Sequence, residues 1–363
     1  MNRSTSTFFR IAVLLVSVTV FGSAETANAC TVMRFYVDGE ALVARNHDWP
    51  FGEGLMVVNH RGIEKTAISA VQPTTWVSKH GSVSFVQFGR EIPFAGMNEA
   101  GLTVDLLQLG EASFPAPTRK GSSVNVIQWV QYQLDTASSV KQVVASLEHV
   151  YPLPMLPSVE RVHYFVTDVS GDVAVIEFLD GKPVVQHGTE TSPCALANST
   201  WQVSCQAYTS GQVNSNSEHR YCKAVNRVGN LPERATTTER IDYAFDSLRS
   251  VWQQGLTQWN IVYQPGERRV WFKTRVASQR RYIDLDDLSF DADQPTLVLD
   301  MDADLKGDLQ LQLQPYTSGM NQRLVDFAFG RLMPEGFARV AIKQLVLSYP
   351  ETLRIAPSPV SER

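Results

Sequence analysis

Nowhere in the 363 residues do lysines and arginines gather into a run, and 32 basic against 37 acidic side chains leave a formal net charge of −5. Phosphate backbones are held by clustered cations, so nucleic acid is excluded as the principal partner. Cysteine is scarce. Cys30, Cys194, Cys205 and Cys222 are the four, and no C-x-x-C pair occurs, which argues against a structural zinc site. The histidines show no pairing at metal-ligand spacing. Asp300, Asp302 and Asp304 form a D-x-D-x-D, but Leu305 stands where a calcium loop needs glycine and Leu311 where it needs glutamate. Neither a metal nor another cofactor is therefore expected. No internal repeat, low-complexity tract or clear linker divides the chain. A single domain over residues 30–363 is expected, with an ordinary apolar content of 44%.

The first residues read as an export signal. Arg3 and Arg10 flank the start of an apolar run, Ile11–Phe21, whose 11 residues are too few to span a bilayer, which takes about 20. Ala27-Asn28-Ala29 then forms an A-x-A cleavage site. Residues 1–29 are expected to be a signal peptide, removed on export to the periplasm or beyond. Cleavage would make Cys30 the first residue. The competing processing would acylate Cys30 and leave a non-catalytic lipoprotein. Lipoprotein signals carry leucine three residues before the cysteine, where this chain has Ala27, so plain cleavage without a stable membrane anchor is the preferred expectation.

An N-terminal cysteine combines a nucleophile with its base. The thiol attacks, and the α-amine, with a reference pKa of ~7.7–8.0, takes its proton near neutral pH without a histidine. The neighbouring sequence supports such a role. Asp38-Gly39 is a hairpin signal between two strand-like runs, Cys30–Tyr36 and Ala41–Asn46. The return strand brings Arg45 and Asp48 of "ALVARNHDWP" back towards Cys30. An arginine there favours thiolate, and an aspartate there can hold the α-ammonium. His47 beside Asp48 invites a cysteine–histidine pair, but the amine already supplies a base.

Further strands are expected at Leu55–His60, Val83–Phe88, Leu102–Leu106, His163–Thr167, Val173–Leu179, Trp259–Tyr263 and Arg269–Lys273. Helices are expected at Val124–Leu134 (capped by Ser122 or Ser123), Val140–Val150 (capped by Ser138 or Ser139), Glu239–Trp252 and much of Met320–Tyr349. Ser192–Asn216 reads as a polar loop. Hairpin signals dominate, which argues for an α+β fold of antiparallel sheets covered by helices.

Cys30 with "VMRF" and "ARNHDW", then "GMNEAGLTVDLL", the helix pair "VNVIQWVQYQLDTASSVKQVVASL", "FVTDVSGDVAVIEFLDGKPVV", "LANSTWQ", "NSEHRY" and "WNIVYQPGERRVWFKT" together resemble the choloylglycine hydrolase and penicillin V acylase family. These are N-terminal-nucleophile hydrolases of linear carbon–nitrogen amide bonds. The resemblance implies an αββα sandwich, with two antiparallel sheets between helical layers, and a small-molecule N-acyl amide as the partner. It implies Cys30 as nucleophile, Arg45 beside the sulfur and Asp48 orienting the amine. Asn98 would give a backbone N–H, and Asn198 its side-chain amide, to the oxyanion. Arg220 would complete the polar cluster.

Trp49, Phe51, Phe85, Phe88 and Phe94 are candidates for an apolar acyl pocket. Penicillin V-type acyl amides are the first expectation, with conjugated bile salts and acyl-homoserine lactones as alternatives. The interval between Asn198 and Arg220 is shorter than in the Gram-positive bile salt hydrolases, where it carries a tetramer-clasping loop. It resembles the Gram-negative branch, so a homotetramer, if formed, is not expected to be clasped by that loop. Cys205 and Cys222 flank this interval and could staple it by a disulfide; the alternative is that Cys194, Cys205 and Cys222 are simply buried thiols.

Overall fold

In the computed structural model, residues 30–116, 121–189 and 192–357 are described. The expected signal segment, residues 1–29, lies outside them. The first hairpin turns at Asp38 and Gly39, with φ of 55° and 82°. Two successive positive φ values give the turn whose twist matches the strands it joins. It links β1 (Thr31–Val37) to β2 (Glu40–Asp48) in a register that sets Val32 opposite Arg45 and Thr31 opposite Asn46.

β1 and β2 lie in a seven-stranded sheet, with Ala195–Leu196 on one side and Thr257–Gln264, Arg269–Thr274, Arg281–Asp284 and Gly307–Asp308 following on the other. The second sheet has nine strands. It is built on β3 (Leu55–Asn59), β6 (Ser82–Val86), β7 (Pro93–Asn98) and β8 (Thr103–Gln108), and continues past β8 through Val162–Thr167, Val173–Leu179 and Lys182–Gly188. Short strands β4 (Ile63–Thr66) and β5 (Thr75–Val77) form a small separate sheet with Arg354–Ile355.

The two large sheets share one apolar interior, where Val32, Val43, Phe85, Met97, Ile261 and Phe272 are all within 1% of complete burial. Each such large side chain contributes roughly 1.5–3 kcal/mol by leaving water. The outer face of the nine-stranded sheet packs on α1 (Gln128–Thr136) and α2 (Val140–Ser146) through Leu106, Trp129, Val130 and Tyr164. The outer face of the seven-stranded sheet meets α3 (Trp201–Ser210), α4 (Asn216–Gly229) and α5 (Thr237–Ser250) through Met33, Phe35, Tyr221 and Phe245. Helix, sheet, sheet, helix is the expected αββα sandwich. A final pair, α6 (Ser318–Leu332) and α7 (Phe337–Ser348), packs on loops beside β2 and β6.

Three local expectations are corrected. Ser122 and Ser123 do not cap a helix, because they pair in parallel with Val150–Leu153. α1 begins only at Gln128, after the Asn125 side chain accepts the Ile127 N–H at 2.9 Å. The polar stretch Ser192–Asn216 contains α3, capped by Thr200 and ended by Gly211 at φ 72°. Only Ser204 and Ala207 of α3 are buried, so no apolar stripe marks it in the sequence. Ser139 does cap α2, accepting from the Gln142 N–H.

Candidate active site

Cys30 stands at the mouth of the first hairpin, one residue before β1, and is 6% exposed. The strand register carries Arg45 next to it. Nη2 of Arg45 lies 3.6 Å from the sulfur, and the thiol also takes the backbone N–H of Asp48. Burial pushes the Cys30 thiol above its ordinary range, opposed first by Arg45 and further by Arg220. Asp48 is buried too. One carboxylate oxygen accepts from Gln253 Nε2 at 2.9 Å, and the other, Oδ1, is enclosed without a hydrogen-bond partner. Burial raises this carboxyl to about 6, with the nearby Thr257 and Gln253 side chains pulling the other way.

Arg220, on the first turns of α4, reaches under the same cysteine. Its Nη1 donates to the Cys30 carbonyl and to Thr31 Oγ1, each at 2.6 Å, and its Nε to Asn216 Oδ1 at 2.8 Å. Nη2 donates to Asn198 Oδ1 at 2.8 Å. A guanidinium only donates, so this contact fixes the amide of Asn198 with its NH2 pointing the other way. That NH2 donates to the Gln108 carbonyl at 2.8 Å, leaving its second hydrogen for another acceptor. The Asn198 segment is braced from behind. His163 contacts the Ala197 carbonyl at 2.8 Å and Glu177, which in turn accepts the Trp201 N–H.

Cys30, Arg45, Asp48, Asn198 and Arg220 therefore converge. Asn98 does not join them. Its N–H donates to the Leu102 carbonyl, and its NH2 to the carbonyls of Leu134 and Ala137 at 2.9 and 2.7 Å. The asparagine in "GMNEAGL" holds the β7–β8 turn against α1, and every donor it has is spent there.

Gln108, at the far end of β8, is the residue of this strand that faces Asn198, whose NH2 donates to its carbonyl. The Leu109 N–H donates to the carbonyl of Arg161, just before the strand Val162–Thr167, so strand alternation turns the N–H and C=O of Gln108 away from that strand, the side on which the C=O meets Asn198.

Arg45 is anchored by a buried carboxylate that the sequence reading passed over. Nη1 meets Asp105 Oδ1 at 3.1 Å and the Phe94 carbonyl at 2.8 Å. A lone aspartate inside the apolar alternation of "LTVDLL" was the available signal. Burial raises Asp105 to about 6, with Arg45 pulling against it. His47 lies 4.0 Å from the sulfur through Nδ1, but burial and then Arg45 lower its pKa to about 3, so it stays neutral.

Of the aromatic candidates, Trp49, Phe88 and Phe94 form one cluster with ring centroids 5.2–5.9 Å apart. Phe51 joins its edge and meets Phe327 of α6 at 5.4 Å. Phe85 is corrected to a core residue. It points between the sheets onto Phe272 and Tyr263, on the face of β6 away from the cluster. All four cysteines are free thiols, and Cys205 contacts the Tyr221 hydroxyl at 3.1 Å, so of the two alternatives left open for Cys205 and Cys222 the structure has separate thiols. Among the described residues no group of three His, Cys, Asp or Glu could hold a metal ion.

This sandwich, with a buried cysteine just before its first strand, has the layers expected of the N-terminal-nucleophile hydrolase fold. The model of the choloylglycine hydrolase family of linear amide C–N hydrolases matches residues 30–210, and over that region the chain belongs to this family. Penicillin V acylase of Pectobacterium atrosepticum is 33% identical over 194 residues, 48% of this chain. The match spans about half, 50%, of that relative's length. Penicillin V acylase from Agrobacterium tumefaciens has the same fold at TM-score 0.70 and 24% identity, with 79% of this chain and 98% of that one superposed. A mutant conjugated bile acid hydrolase from Clostridium perfringens follows at TM-score 0.60 and 14% identity, over 75% and 96% of the two chains.

Proposed function

We propose that the chain is an exported amidohydrolase that cleaves N-acyl amides through an acyl-thioester on Cys30, freed as the N-terminus by removal of residues 1–29. The observation that carries this reading is the enclosed, unpartnered Oδ1 of Asp48 beside Cys30. A buried carboxylate oxygen without a partner is costly, and an α-ammonium on Cys30 is the group that would satisfy it.

In the reaction the α-amine takes the thiol proton, and the thiolate attacks the amide carbon. The oxyanion accepts from Asn198 Nδ2 and the backbone N–H of Gln108. The α-ammonium returns its proton to the leaving nitrogen, the C–N bond breaks, and the amine departs. Water then attacks the thioester, giving up a proton to the α-amine. The carboxylic acid leaves and the thiol is restored. Arg45 favours the thiolate throughout.

Trp49, Phe88 and Phe94, with Phe51 and Phe327 behind them, offer an aromatic wall suited to a phenoxyacetyl-type acyl group. Penicillin V-like amides are therefore the first substrates to try, ahead of bile salt conjugates and acyl-homoserine lactones. The burial of the thiol counts against a lipid on Cys30 and hence against a binding lipoprotein.

Intact mass of the exported protein, alone and acid-quenched with penicillin V, tests the reading. A chain starting at free Cys30 and a transient acyl adduct lost in Cys30→Ala are expected. A lipid-sized increment, or full turnover by Cys30→Ala, would overturn it.

A further inference from the structure

Arg45 must hold its charge beside a sulfur that changes state during turnover, and the structure supplies a second acceptor for the same N–H. Nη2 carries two hydrogens but faces three acceptors: the Leu106 carbonyl at 3.0 Å, His47 Nδ1 at 3.2 Å and Cys30 Sγ at 3.6 Å. The other terminal nitrogen is occupied by Phe94 and Asp105. One Nη2 hydrogen is thus shared between sulfur and imidazole.

The state of His47 is dictated from further out. Gln87 donates its NH2 to the carbonyls of Phe51 and Glu53 at 2.9 and 3.3 Å. Those two acceptors fix its amide, so Oε1 faces His47 Nε2 at 2.8 Å. An amide oxygen only accepts, so Nε2 must carry the proton and Nδ1 must be bare. The ring is clamped in that orientation, stacked on Trp259 at 4.4 Å and flanked by Phe94 at 5.0 Å.

We propose that His47 is a positioning residue for this reaction: held as the Nε2–H tautomer by Gln87, it accepts an Arg45 N–H through Nδ1 and keeps the guanidinium in place while the sulfur is a thioester. A thiolate is a strong acceptor for that hydrogen, and a thioester sulfur is a poor one. Without His47 the buried guanidinium would lose a partner each time the acyl-enzyme forms, and would have to move before the thiolate is regenerated. The inference rests on the Cys30 reading above and names what that reading leaves unexplained, a buried histidine that cannot serve as the base.

The closing experiment compares wild type, His47→Phe and His47→Asn by rapid-quench mass spectrometry of Cys30 acylation and thioester loss with penicillin V. Phenylalanine keeps the ring between Trp259 and Phe94 but removes the acceptor. Asparagine places Oδ1 near the position of Nδ1. His47→Phe should slow turnover about 10- to 100-fold, as expected for losing one hydrogen bond to a charged group, with KM for penicillin V little changed, and His47→Asn should recover much of the rate. Wild-type rates of both steps in His47→Phe would overturn the inference while leaving the nucleophile intact. Absence of any Cys30 adduct in the wild type would instead overturn the function itself. Should His47→Phe fail to fold, nitrogen NMR of the wild-type imidazole decides: a proton on Nδ1 rather than Nε2 contradicts the proposal.

Discussion

At the scale of single residues, hydrogen-bond chemistry restricts which way the groups of the candidate site can point. Arg220 cannot accept a hydrogen bond, so Asn198 must turn its oxygen to it and its NH2 to the space before Gln108. Asn198→Asp is therefore an incisive change. The new carboxylate keeps the contact with Arg220, so the fold should persist, yet the donor proposed for the oxyanion is gone. A loss of ~100- to 1,000-fold in kcat is expected, the usual cost of one such donor. Steady-state kinetics alongside a thermal melt would check it. A kcat within a few-fold of wild type would remove Asn198 from the oxyanion site.

Elements explain what the sequence could and could not reveal. The β1–β2 hairpin was legible because Asp38-Gly39 names its turn type, and a fixed register then delivers Arg45 and Asp48 to Cys30. Asn198 and Arg220 were legible only through family resemblance, since nothing in local spacing joins the start of α3 to α4. Asn98 misled because its motif marks a turn, and a turn spends its asparagine on its own backbone. Phe85 misled because consecutive strand residues face opposite ways, and position along a strand does not say which face meets the pocket.

The last helical pair was read as helix but not as a neighbour of the candidate pocket. α6 brings Phe327 edge-on to Phe51, one ring behind Trp49, although it lies beyond residues 30–210. Phe327→Ala should raise KM for phenoxyacetyl amides roughly tenfold, about 1.4 kcal/mol, while KM for short straight-chain acyl amides changes little. Equal changes for both substrate types would place the acyl group elsewhere.

At the scale of the whole molecule, the proposed removal of residues 1–29 would couple processing to stability through the buried Asp48. In a chain still extended past Cys30 the nitrogen of residue 30 is an uncharged amide, and Asp48 carries a carboxyl raised from 3.8 to about 6 by burial. A carboxyl whose folded pKa lies above its unfolded value stabilises the fold fully below about 3.8, and that contribution is lost as pH rises through about 6. The proposed cleavage would place an α-ammonium beside the carboxylate, draw its pKa back down and remove the loss. His47 runs the other way. Depressed from 6.5 to about 3, its contribution is full above 6.5 and is lost as pH falls through about 3. Asp105, raised to about 6, follows Asp48 in sign. Neither His47 nor Asp105 carries the new amine, so both cancel in a comparison of the two forms. Thermal melts from pH 4 to 8 on the processed chain and on one retaining Ala29 should therefore diverge as pH rises, with the processed form the more stable at pH 8. Asp48→Asn should close the gap. Parallel melting profiles at every pH would mean that the enclosed oxygen of Asp48 is not the seat of the N-terminal ammonium, and the amine would have to be held by another group.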